Sequence, residues 1–257
     1  MNHLMVKINE KIATVTINRP PANALSSQLI TELGQLLDQL ETDDQVRAIL
    51  IHGEGRFFSA GADIKEFTTV TTGEEFSKLA MIGQHVFEKV ESFPKPIVAA
   101  IHGAALGGGL ELAMACHIRL VSETAKLGLP ELQLGLIPGF AGTQRLPRLI
   151  GSAKAAELLF TSEPLTGAQA VQWGLANESY PEEVLQTKAF EMMQKIAKKS
   201  PIALKAAIDQ LRYSKSDRFY EGVKEEANKF GVVFTSEDAQ EGIRAFLEKR
   251  EPQFKGK

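Results

Sequence analysis

The sequence predicts an α/β fold with parallel strand pairing. Short apolar runs alternate with longer stretches of helical periodicity, and Gly or Pro punctuates the joins. The last quarter carries helical patterning alone. Leu4, Val6 and Ile8 alternate with polar residues, and Ile12 to Ile17 repeats the pattern after Asn9-Glu10, which predicts an opening β-hairpin. Ser26 or Ser27 can cap a helix whose apolar positions are Leu29, Leu33, Leu36, Leu37 and Leu40. Ala48 to Ile51 is a short strand closed by Gly53-Glu54-Gly55. A second long helix is expected from Glu74 to Ser92, with Phe76, Leu79, Val86 and Val90 inward. Pro94 and Pro96 bracket its end, and Ile97 to Ile101 is a further buried strand. Thr166-Gly-Ala-Gln169 is a capping-box pattern opening a helix that Gly174 ends. Glu182 to Lys198 fits another helix, and Ser200-Pro201 reads as cap and first position of the next. Asp217 and Ser236 are expected to cap two more.

The 257 residues suggest one large domain, or one domain with an appendage, and suffice for a core without disulfides or metals. Hydrophobic residues at 44% and charged residues at 24% exclude a disordered or collagen-like chain. With 29 Lys+Arg against 32 Asp+Glu the net charge is −3, which disfavours a dedicated nucleic-acid binder. The lone cysteine, Cys116, can form neither an internal disulfide nor a zinc cluster, and it reads as a core residue. The five histidines lack ligand spacing, so no metal is expected, and Trp173 reads as packing. The first eleven residues hold no apolar stretch of signal-peptide length, and the longest tight apolar run stops at His102. The cytoplasm is therefore the expected compartment, with no membrane partner.

Three segments carry chemistry. His102-Gly-Ala-Ala-Leu-Gly107-Gly108-Gly109-Leu-Glu111 places three glycines between a strand and a helix, where bare N–H groups can approach a ligand. Glu111 falls in the first helical turn, which equally suits a carboxylate favoured only by the helix dipole. No phosphate-binding glycine pattern is present. In Phe57-Phe58-Ser59-Ala60-Gly61-Ala62-Asp63-Ile64-Lys65 the small residues permit a turn close against a bound group, or a plain β-turn. A serine-hydrolase elbow would need Gly where Phe57 stands. Glu131 follows Pro130 among apolar residues, surroundings that raise a carboxyl pKa and suit acid/base work, although taken alone a surface carboxylate beginning a turn is the favoured reading. Two carboxylates on separate rigid elements can converge on one water.

Ser59-Ala-Gly-Ala-Asp63-Ile-Lys, the His102–Glu111 segment, and Pro130-Glu131 through Ile137-Pro-Gly-Phe-Ala-Gly-Thr-Gln-Arg-Leu-Pro147 resemble the crotonase superfamily, and within it the enoyl-CoA hydratases. The likeness runs from Asn18-Arg19-Pro20 to Phe246-Leu-Glu-Lys249-Arg250. It implies a crotonase-like spiral of β-β-α units, here residues 1–198 with the active site, followed by a C-terminal helical trimerisation segment, residues 199–257. A homotrimer or a dimer of trimers is expected. The resemblance further implies an acyl-CoA thioester bound along Ala60, Gly61, Ala62, Asp63 and Ile64. The N–H groups of Ala60 and Gly108 would form the oxyanion hole, Glu111 would activate water and Glu131 would protonate C2. Phe230 and Lys249 match positions that meet the CoA nucleotide from a neighbouring subunit. No separate cofactor is implied, because coenzyme A is part of the substrate. Hydration of 2-enoyl-CoA in fatty-acid β-oxidation is the expected activity. Isomerisation, branched-enoyl hydration or thioester hydrolysis on the same scaffold are the alternatives, with a non-catalytic RNA-binding role behind them. Two positions depart from the common pattern: His117 stands where many members have Asp, and Phe140 where a smaller residue is usual. The first requires a different local hydrogen bond, and the second bears on the acyl pocket.

Overall fold

A computed structural model describes residues 1–199, 201–213, 220, 227, 231, 234–235, 237–250 and 252. Strands β1 (Leu4–Asn9) and β2 (Ile12–Ile17) form the expected hairpin, pairing antiparallel from Leu4↔Ile17 to Asn9↔Ile12. Glu10 and Lys11 both adopt positive φ at its tip, the turn geometry that matches strand twist. Helix α1 (Ser27–Thr42) starts at Ser26, whose side chain accepts the Leu29 N–H, and it buries Leu29, Leu33, Leu36, Leu37 and Leu40 as their spacing predicts. Strand β3 (Ala48–Gly53), helix α2 (Ile64–Phe67), helix α3 (Gly73–Glu91) and strand β4 (Ile97–Ile101) follow. Leu79 on α3, expected inward, is only half-buried.

From β4 onward the chain steps repeatedly between two sheets. It passes from β4 to β5 (Ala104–Leu106), through helix α4 (Gly108–Ala115) to β6 (Ile118–Ser122), and on to β7 (Lys126–Gly128). After a 3₁₀ turn (Glu131–Leu134), helices α5 (Gly142–Ile150) and α6 (Ser152–Thr161) lead to β8 (Leu165–Thr166), α7 (Gly167–Gln172) and β9 (Glu178–Tyr180). The large sheet runs β1-β2-β3-β4-β6-β9, parallel from β2 onward; the small one runs β5-β7-β8. This stepping is the turn of the spiral, and it explains why β2, β3 and β4 are buried on both faces. Both Thr166 and Gln169 complete the predicted capping box.

Helix α8 (Glu182–Ala197) covers one face of the large sheet through Leu185, Ala189 and Met193. Helices α9 (Pro201–Tyr213) and α10 (Glu237–Leu247) follow. The capping positions expected at Ser200, Asp217 and Ser236 lie outside the described residues. Ala239 and Ile243 of α10 join Phe76, Ala80, Leu136, Ala227 and Phe234 in a separate apolar cluster, so α10 docks against α3 and the 3₁₀ turn of its own chain. Cys116 is buried in the main core, and burial pushes its thiol up to about 12. Trp173 departs from expectation: it is 46% exposed, with the Lys154 ammonium 4.8 Å from its ring centre.

His117 supplies the altered hydrogen bond: its Nδ1 accepts the Ile97 N–H at 2.9 Å, while Nε2 is buried with no partner among the described residues. Burial, with Arg119 nearby, lowers its pKa from 6.5 to about 4. The folded state therefore refuses a proton that the unfolded chain accepts. Stability from this group is fully present above about pH 6.5 and is lost as pH falls towards 4, by an amount of the order of 3 kcal/mol. Urea melts across that window should show the decline, and His117→Asn, which keeps an acceptor, should flatten it. An unchanged slope in the variant would assign the acid sensitivity elsewhere.

Candidate active site

The turn after β3 is held from both sides. Ser59 donates its N–H to Ala104 O and its Oγ–H to Asn23 O, and its carbonyl accepts the Leu106 N–H. Leu25 and Ala62 form a parallel bridge in which Leu25 N–H donates to Gly61 O and Asp63 N–H to Leu25 O. In such a bridge the intervening N–H, that of Ala62, points the other way. Among the described residues it has no acceptor, and neither does the N–H of Gly108, the first residue of α4. A methyl group built on Gly108 would lie 3.4 Å from the Ala62 nitrogen, so these two donors are neighbours.

This geometry corrects the expected donor pair. The Ala60 N–H is already given to Ala22 O at 2.9 Å, so among the described residues the unengaged donor beside Gly108 is that of Ala62. The Asp63 side chain is engaged locally: its Oδ1 accepts the Lys65 N–H to cap α2, and its Oδ2 pairs with Arg19.

Glu111 is buried on α4, and its Oε1 accepts the N–H groups of Phe140 and Gly142, each at 2.8 Å. Ala141 between them has φ +73°, and this left-handed residue aims the flanking amides at one oxygen. Beneath the loop, buried Arg145 donates to Phe140 O at 2.9 Å and pairs with buried Glu91 of α3 at 2.9 Å. Glu131 opens the 3₁₀ turn that follows β7 and is half-buried. Gly107, at φ +49° and ψ −128°, adopts a backbone conformation that side chains rarely enter, and it lies close against the Glu131 carboxyl. A single cavity of about 330 Å³ is lined by Ala60, Gly61, Ala62, Gly108, Glu111 and Glu131, among mainly apolar neighbours.

Glu111, Glu131, Gly107, Gly108 and Ile64 thus line one cavity, with Asp63 outside the lining. Phe230 lies outside the described residues. Lys249 is exposed just beyond α10. Sequence reasoning missed Phe246, which reaches the cavity from α10, and the Glu91–Arg145 pair below the loop that meets Glu111. Arg145 stands inside a quoted motif, but its burial is a property of the fold.

The sequence profile described as enoyl-CoA hydratase/isomerase matches residues 7–257. The chain belongs to this family. Its enoyl-CoA hydratase/isomerase relatives include "Probable enoyl-CoA hydratase" of Bacillus subtilis (strain 168), 59% identical over all of both chains. The short-chain-enoyl-CoA hydratase of Clostridium acetobutylicum is 38% identical, with 97% of this chain and 96% of that protein covered. Among solved structures, an enoyl-CoA hydratase from Bacillus anthracis is 36% identical with TM-score 0.79, covering 99% of this chain and 100% of that one. One from Mycobacterium avium subsp. paratuberculosis has TM-score 0.88 at 26% identity, covering 98% of each. Among the described residues no helix is long and apolar enough to cross a membrane.

Proposed function

We propose that the chain adds water across the 2,3 double bond of a 2-enoyl-CoA thioester, giving the 3-hydroxyacyl-CoA. The observation that carries this reading is the meeting of two carboxyl groups and two unengaged backbone donors at one apolar cavity. The thioester carbonyl lies against the N–H groups of Ala62 and Gly108, the latter at a helix N-terminus that favours negative charge. Glu111 takes a proton from water as its oxygen bonds to C3. The displaced π electrons move through C2 onto the carbonyl oxygen, and Glu131 then delivers a proton to C2. Exchange of the two carboxyl protons with solvent restores the starting state. The donors act on charge that develops only in the transition state, which is where such hydrogen bonds accelerate a reaction.

No separate cofactor enters this scheme, since coenzyme A arrives with the substrate. Residues 1–198 form the catalytic spiral and 199–257 the segment through which the chain assembles as a trimer or a dimer of trimers. Lys249, with Phe230, meets the CoA nucleotide of a neighbouring subunit, and the exposure of Lys249 supports that placement. The enzyme works in the cytoplasm, in fatty-acid β-oxidation, with neither nucleic acid nor membrane as partner. Crotonyl-CoA supplies the test: the ultraviolet absorbance of the conjugated thioester should fall on adding enzyme, with 3-hydroxybutanoyl-CoA as product. Release of free coenzyme A, or turnover of 3-enoyl thioesters alone, would move the reading to hydrolysis or isomerisation.

A further inference from the structure

Behind the inner wall of the catalytic cavity lies a second, much smaller one, of about 20 Å³. Ala62, Phe67, Leu79 and Phe140 line both, so these four residues are the partition between them. Beyond the wall the lining stays apolar through Leu25, Ile30 and Ile82. Its polar members there are satisfied, because Glu66 accepts the N–H and Oγ–H of Ser27.

Phe140 is the bulkiest part of this wall, and it is fixed in place. Its ring meets Phe87 edge-on, with centroids 5.3 Å apart and an interplanar angle of 72°. A Cβ at Gly83 of α3 would lie 2.4 Å from Phe140 Cε1, so the ring occupies space that only a glycine leaves open. Its backbone is tethered at both ends, N–H to Glu111 and carbonyl to Arg145. A ring so placed cannot swing aside for a longer chain without losing its packing on Phe87 and its fit against Gly83.

We propose that Phe140 terminates the acyl pocket and selects short-chain 2-enoyl thioesters, the space behind it being a closed-off extension of the pocket. This rests on the acyl chain occupying the catalytic cavity, as in the proposed function. A methylene that a hydrophobic pocket does not accommodate is worth about 10- to 200-fold, so the wild type should favour crotonyl-CoA over 2-decenoyl-CoA by about tenfold or more in kcat/KM. Phe140→Ala should join the two cavities and raise the decenoyl-to-crotonyl ratio by about tenfold. Leu79→Ala, which thins the same wall from the helix side, should move the ratio in the same direction and guards against a poorly folded Phe140→Ala. Calorimetric affinities for butanoyl-CoA and decanoyl-CoA should show the same shift without any turnover. Ratios in both variants within about twofold of wild type, in rates and affinities alike, would overturn the partition. A wild type that binds both thioesters yet hydrates no enoyl-CoA would overturn the hydratase reading instead, and the affinity ratios would still decide the role of Phe140.

Discussion

Glu111→Gln and Glu131→Gln are each expected to lower kcat for crotonyl-CoA hydration by about 10²- to 10⁴-fold, with KM little changed. Glutamine is isosteric, so in the first variant its carbonyl oxygen still accepts the amides of Phe140 and Gly142, and the loop stays in place. What disappears is the capacity to take a proton from water. In the second variant the side chain still fits beside Gly107 but cannot deliver a proton to C2. The double variant should be little slower than the worse single one, because the two groups serve one addition. Unaltered melting temperatures would separate lost chemistry from lost structure. Normal turnover by either variant would sink the two-carboxylate mechanism.

Arg145→Met is expected to cost about 3–5 kcal/mol of stability, since it removes the guanidinium that faces the buried Glu91 carboxylate. Urea unfolding would measure it. A kinetic effect should accompany the loss: Phe140 O surrenders its donor, and the loop that presents two amides to Glu111 slackens. Replacing both partners with apolar residues, Arg145→Met with Glu91→Leu, should restore much of the stability, because no uncompensated charge remains. It should leave kcat depressed, because no donor then reaches Phe140 O. If the double variant recovers full activity, the pair holds the fold together without positioning the catalytic loop.

Much of this arrangement is legible in the residues. The hairpin, α1 and the strands at 48 and 97 follow from period and caps. Gly107 to Glu111 announces a strand-to-helix turn carrying a carboxylate. The small sheet escapes notice because β5, β7 and β8 are two or three residues long, too short to display alternation. Ala60 and Ala62 cannot be distinguished by type, since both are small residues in one turn. The choice is made by Ala22 and Leu25, whose carbonyls accept the Ala60 and Asp63 amides and leave Ala62 facing inward. Phe140 is visible as a bulky residue, but its confinement depends on Gly83, which nothing local marks. Trp173 misleads because an aromatic at a helix end can stack under a lysine as readily as enter a core.

Glu111 and Glu131 stand more than a hundred positions before Phe246 in the sequence, yet all three line one cavity. Phe246 reaches it because Ala239 and Ile243 of the same helix pack with Phe76 and Ala80 of α3. One wall of the cavity is therefore held by a helix-to-helix contact that is separate from α4, which carries Glu111, so loosening that contact should admit water without displacing that carboxyl.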